Sequence, residues 1–213
     1  MSATLIYCYD PMCSWCWGFQ PTWKALQLAL APYIESGEIQ IQPMLGGLAV
    51  DSNAPMPLPM QTKLAGVWKQ IENQLGTQFN HNFWQDCQPR RSTYPACRAC
   101  LVARDQNLEK EMSAQIQQAY YLNAQNPSDL DTLAQCAAKI GLKEDGFLKA
   151  MEHCKKAEVL EQEVQIARQL GLNSFPSIAL VMANQMIQIP LDYLNADQML
   201  TDILAALTQL KSV

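Results

Sequence analysis

Cys13-Ser14-Trp15-Cys16 sets two thiols two residues apart. An apolar, strand-like run from Leu5 to Tyr9 leads in, and Trp23, Leu26 and Leu30 follow at helical spacing. Pro11 lacks a backbone N–H and suits the first turn of a helix. The stretch therefore reads as strand, turn, helix, with Cys13 near the helix N-terminus. Unpaired N–H groups and the positive end of the helix dipole favour an anion there, and the thiolate is the reactive form of cysteine. A second thiol one turn away can resolve a mixed disulfide formed at the first, the minimum equipment for thiol–disulfide exchange. Two core cysteines are the bland alternative, and Pro11 and the helix start argue against it. A four-cysteine zinc site takes its second pair within roughly 15–20 residues. The next close pair, Cys97 and Cys100, lies far downstream. No metal and no bound cofactor is expected, because the dithiol is itself the redox group.

The elements that must hold this stretch can be read in order. A helix is predicted from about Cys16 to Tyr33, broken at Ser36-Gly37, and a second strand over Glu38 to Pro43, where Ile39 and Ile41 alternate with polar residues. Strand, helix, strand at this spacing implies parallel strands. Gly46-Gly47 ends the unit, and Ala54 to Met60, with three prolines, reads as an extended loop. From Gln61 to Cys154 the pattern is helical throughout: Gln61 to Leu75, an ambiguous Phe79 to Arg91, Pro95 to Ala103 with a continuation to Tyr121, Leu130 to Ile140, and Lys143 to Cys154. Ser128-Asp129-Leu130-Asp131 has the form of a capping box. A helix over Leu160 to Leu170 follows. Two apolar runs, Ser177 to Val181 and Met186 to Ile189, flank Ala183-Asn184 as a hairpin, and Asp197 to Leu210 is a final amphipathic helix.

Phe175-Pro176 stands at the entrance of the third strand. Together with Cys13-Ser14-Trp15-Cys16 after the first strand, and with the order βαβ, helical block, αββα, it makes the chain resemble the thioredoxin superfamily. The helical block narrows the resemblance to the DsbA-like family, and Asp10 to Gly18 is similar to cytoplasmic members described as disulfide isomerases. The resemblance implies an α/β, thioredoxin-like domain over residues 1–60 and 156–213, interrupted by an all-helical domain over 61–155. It implies Cys13 as an exposed nucleophile, Cys16 as a buried resolving thiol, and a cis Pro176 facing the pair. The backbone of Phe175 would dock an extended substrate as an added strand, with Ser14 and Trp15 completing the substrate side. Ser14-Trp15 differs from the Pro-His of periplasmic DsbA, so the direction of catalysis does not carry over. Asp10 would either relay a proton to Cys16 or cap the helix; the cap is the expectation.

Cys97-Arg98-Ala99-Cys100 repeats the layout of the first motif, with Pro95 two residues before the first cysteine. It is a candidate second redox pair, against the plainer reading of an apolar helix face. Cys8, Cys136 and Cys154 fall on core spacings, and His81 and His153 show no metal-like spacing. The chain has 213 residues, 49% of them hydrophobic, and a net charge of −5. No basic run suggests nucleic acid and no stretch approaches the ~18 apolar residues of a membrane span. With no positively charged leader at the N-terminus, a cytoplasmic disulfide reductase or isomerase is expected. Its partners would be protein or low-molecular-weight thiols and disulfides, glutathione among them. Two rivals stand: a glutathione-dependent isomerase or transferase on the same fold, and a redox-sensing adaptor without turnover.

Overall fold

A computed structural model describes residues 2–212. Strand β1 (Ala3–Tyr9) is an inner strand of a four-stranded sheet. It pairs in parallel with β2 (Ile39–Leu45) and antiparallel with β3 (Ser177–Met182), which pairs antiparallel with β4 (Gln185–Ile189). Nearly every β1 residue is buried, as expected for a strand covered on both faces. Leu5, Tyr7 and Tyr9 join the main core with Phe19, Trp23 and Leu26. Ile6 and Cys8 point the other way, into a smaller cluster with Met44, Ala167 and Leu172.

Helix α1 (Ser14–Ala29) covers one face, and α2 (Ala31–Glu35) follows after Leu30. The sequence suggested one helix to Tyr33. Pro32 divides it, since it has no N–H to donate to the preceding turn. Between β2 and β3 come α3 (Leu58–Leu75), α4 (Phe83–Asp86), α5 (Tyr94–Arg104), α6 (Glu109–Gln117), α7 (Leu130–Lys139), α8 (Glu144–Lys156) and α9 (Val159–Gln169). The α3 helix starts inside the expected loop, because Pro59 sits in its first turn, where a missing N–H costs nothing. Short α4 resolves the ambiguous Phe79–Arg91 stretch. A π-helical turn, Gln118–Leu122, extends α6. The capping box at Ser128 does not form: Asp129 pairs with Arg90 and the Ser128 hydroxyl donates to Ser92 O. Helix α9 packs on β2, and α10 (Ala196–Lys211) packs on α1 and the β3–β4 hairpin.

Trp68 of α3 is fully buried, stacked on Phe79 at 4.9 Å and edge-on to Tyr121 of the π turn at 5.4 Å. Each such pair adds about 0.5–1.5 kcal/mol beyond burial. This cluster anchors α3 against α1, since the Trp68 indole also donates to Ser14 Oγ at 3.0 Å. Among the described residues no helix is long and apolar enough to cross a membrane.

Candidate active site

Cys13 is the residue before α1 and has extended backbone. Its sulfur accepts the Cys16 N–H at 3.4 Å, so the first cysteine is itself the helix N-cap. That corrects the expectation for Asp10. The Asp10 carboxylate lies one turn earlier and is fully buried. Its Oδ1 accepts the Met12 N–H at 2.8 Å. Its Oδ2 accepts the Leu48 N–H at 2.7 Å, the Thr93 hydroxyl at 2.6 Å and the Cys97 thiol at 3.4 Å. Burial pushes the Asp10 pKa up while these hydrogen bonds pull it down, and burial prevails. Cys16 is fully buried, and desolvation holds its thiol well above the ordinary cysteine range, with Cys13 and the Asp10 charge adding to the effect.

The Phe175–Pro176 bond is cis. The Cys13 thiol donates to Phe175 O at 3.3 Å, joining the two halves of the motif across 162 positions. The Phe175 ring lies on Gly46, where a Cβ would come 1.8 Å from Cε1. Only glycine allows that approach. The Arg168 guanidinium sits 5.1 Å from the centre of the same ring and donates to Gly46 O and Leu172 O, both at 2.9 Å. The loop bearing Phe175 is thereby tied to the end of β2.

Cys13 opens into a cleft of about 260 Å³, with Trp15, Trp68, Arg91, Ser174 and Phe175 among its walls. It is recessed there and 6% exposed, where an exposed residue was expected. Half-buried Trp15 meets Tyr193 edge-on at 5.3 Å. Cys13, Ser14, Trp15 and Phe175 all line this cleft, whereas the buried Cys16 and Pro176 are not among its walls. Cys97 and Cys100 do not line it either; both are fully buried in α5, and desolvation raises both thiols. All eight cysteines are free thiols. Among the described residues no group of three or more His, Cys, Asp or Glu side chains is placed to hold a metal. Thr93, Leu48, Trp68 and Arg168 were not singled out from the sequence. Gly46, read from the sequence only as part of the end of the first unit, is where the Phe175 ring makes its close approach.

A thioredoxin-like sheet interrupted by helices, with a dithiol facing a cis-proline loop, places the molecule in the thioredoxin-like class. Within it the chain belongs to the DsbA-like thioredoxin domain family, whose model matches residues 4–194. This is a family of thiol–disulfide oxidoreductases. A candidate protein disulfide isomerase from Nitrosomonas europaea superposes with a TM-score of 0.82 at 23% identity, covering 98% of this chain and 99% of that one. The cytosolic disulfide reductase DsbM from Pseudomonas aeruginosa gives 0.72 at 25% identity, covering 99% and 100%; its structure with glutathione gives 0.70. Among curated sequences, the ClpXP adapter protein SpxH of Halalkalibacterium halodurans is 24% identical over 175 residues, which are 79% of this chain and 55% of the relative. The chain thus spans about half the length of the curated relatives it matches.

Proposed function

We propose that the chain is a cytoplasmic thiol–disulfide oxidoreductase working as a disulfide reductase or isomerase. Residues 1–60 and 156–213 form its thioredoxin-like domain and 61–155 its helical domain. The observation that carries the reading is the position of Cys13 Sγ, at the head of α1, 3.3 Å from Phe175 O and on the wall of a cleft. As a thiolate, Cys13 attacks one sulfur of a substrate disulfide and the other sulfur leaves as a thiolate. Cys16, once deprotonated, attacks Cys13 Sγ and expels the second substrate thiolate. Two electrons pass to the substrate and a Cys13–Cys16 disulfide remains. Two molecules of a small thiol such as glutathione restore the dithiol and leave as their own disulfide.

Asp10, whose buried charge is felt at the Cys16 thiol, is assigned as the base that takes the Cys16 proton. Phe175 and Pro176 present backbone to an extended substrate, with Ser14 and Trp15 flanking the reacting sulfur. The glutathione-bound form of DsbM supports a small-thiol partner. Cys97 and Cys100 are fully buried and lie outside the Cys13 cleft, so Cys97 is assigned the role of holding Asp10. The test is a glutathione-linked disulfide reduction assay with a redox titration, comparing wild type with Cys13→Ser. Turnover should fall to the background thiol rate; a variant that still turns over removes Cys13 from the mechanism. The likeness to SpxH keeps an adaptor reading in view. It predicts a dithiol that oxidises in the titration while substrate reduction stays at background in the wild type.

A further inference from the structure

The walls of the Cys13 cleft carry two cations, Arg90 and Arg91, and no carboxylate. The rest of the lining is apolar, aromatic or uncharged. The two arginines differ in how they are engaged. Arg90 donates to Ser128 O at 2.8 Å and to the Asp129 carboxylate at 2.5 Å. Arg91 is half-buried and makes no ion pair among the described residues. Its charge is felt at Tyr120, another wall of the same cleft, where it opposes the effect of burial on the hydroxyl. A guanidinium partly withdrawn from water without a counter-ion has lost solvation. A carboxylate beside it restores this through charge-assisted, bidentate hydrogen bonds.

The free cation shares a small space with the reacting sulfur. At about 260 Å³ the cleft lies at the lower edge of the range of small-molecule sites. A group a few bonds from a sulfur that meets Cys13 is therefore within the field of Arg91. In free solution a thiolate and an anionic disulfide repel each other. In this cleft Arg91 and the positive end of α1 both oppose that repulsion.

We infer that the Cys13 cleft selects low-molecular-weight disulfides carrying a carboxylate a few bonds from the sulfur, and that Arg91 is the residue that reads this charge. The inference rests on the reading of Cys13 as the nucleophile. The Cys13 thiolate attacks the near sulfur while the carboxylate pairs with Arg91. The S–S bond breaks and the far sulfur leaves as a thiolate. Cys16 then displaces the second thiolate, and two electrons have passed from the Cys13–Cys16 pair to the substrate. The test uses disulfides that differ in charge on the same two-carbon arm: 3,3′-dithiodipropionate, bis(2-hydroxyethyl) disulfide and cystamine. Reduced wild type, Arg91→Gln and Arg91→Glu, each checked for folding by circular dichroism, are mixed with each probe near neutral pH. Oxidation of the dithiol is followed by acid quench, alkylation and intact mass, and each rate is divided by that of free 2-mercaptoethanol with the same probe. Wild type should favour the dicarboxylate over the neutral probe by about tenfold, as one charge-assisted contact allows. That ratio should shrink at high salt. Arg91→Gln should bring it close to one, and Arg91→Glu should turn the preference toward cystamine. A ratio equal in wild type and Arg91→Gln, or a wild type that favours the neutral or cationic probe, would overturn the inference and leave Cys13 as the nucleophile. A wild-type dithiol that none of the probes oxidises would overturn the nucleophile reading and the inference with it.

Discussion

Cys97 Sγ lies 3.4 Å from Asp10 Oδ2, so a thiol from the helical block reaches a carboxylate buried beneath the first cysteine motif. Thr93, one turn earlier on the same segment, makes the shorter contact at 2.6 Å and also accepts the Ala49 N–H at 3.0 Å. The helical block therefore supplies two of the four donors that hold this carboxylate. Thr93→Val keeps the shape and removes the hydroxyl, leaving the buried Asp10 carboxylate and the partly buried Ala49 N–H each short of a partner. A loss of about 1–3 kcal/mol is expected in urea denaturation. Cys97→Ser retains a donor and should cost less than about 1 kcal/mol. Equal losses would mean that hydrogen bonding to Asp10 is not what these side chains contribute.

Burial raises the Asp10 pKa above its ordinary value. Between the unfolded and folded values the native state holds a proton that the unfolded state has released. Stability from this group is thus full at acid pH and is lost as pH rises through the folded value. Asp10→Asn does not titrate. Relative to wild type, the variant should gain stability as pH is raised from about 4 to about 8. Denaturation midpoints measured across that range would show it; a constant difference would place the Asp10 pKa at its ordinary value.

The four strands in chain order, the helix behind the dithiol and the Phe175-Pro176 loop were legible because each leaves a local mark: period-two apolar runs, Pro11 before a helical stripe, a proline at a strand entrance. What was not legible depends on partners distant in sequence. Asp10 looks like a cap until Leu48 and Thr93, 38 and 83 positions away, claim one of its oxygens. Ser128 to Asp131 looks like a capping box until Ser92 O takes the Ser128 hydroxyl and Asp129, paired with Arg90, stands at the helix start. Cys97 and Cys100 copy the spacing of the first motif, yet α5 is buried at eight successive positions from Ala96 to Ala103, and spacing alone says nothing of access.

Cys16 N–H points at Cys13 Sγ at 3.4 Å, and its own thiol is fully buried. A mixed disulfide at Cys13 would have Cys16 as its nearest resolving group. With Cys16→Ser the first attack remains and the second is lost. Incubation with glutathione disulfide should leave one glutathionyl group on Cys13, detected by intact mass and peptide mapping, and the adduct should persist because no thiol replaces Cys16. An adduct mapped to any other cysteine would move the nucleophile elsewhere.

Gly46 and Phe175 offer the sharpest structural test. A Cβ at Gly46 would lie 1.8 Å from Phe175 Cε1 and 2.2 Å from Cζ, so in Gly46→Ala the ring has to leave its place. The ring is held on its other side by Arg168, 5.1 Å away, and its carbonyl stands 3.3 Å from Cys13 Sγ. Displacing it disturbs the loop that faces the nucleophile. Overpacking of this kind costs about 1–3 kcal/mol, and disulfide reduction should fall with it. Phe175→Ala alone also destabilises, by removing the ring from its contacts. In the double variant the clash has no second partner, so its loss should be smaller than the sum of the single losses. Simple additivity, measured by denaturation of all four proteins, would mean that the ring and the glycine do not meet in solution.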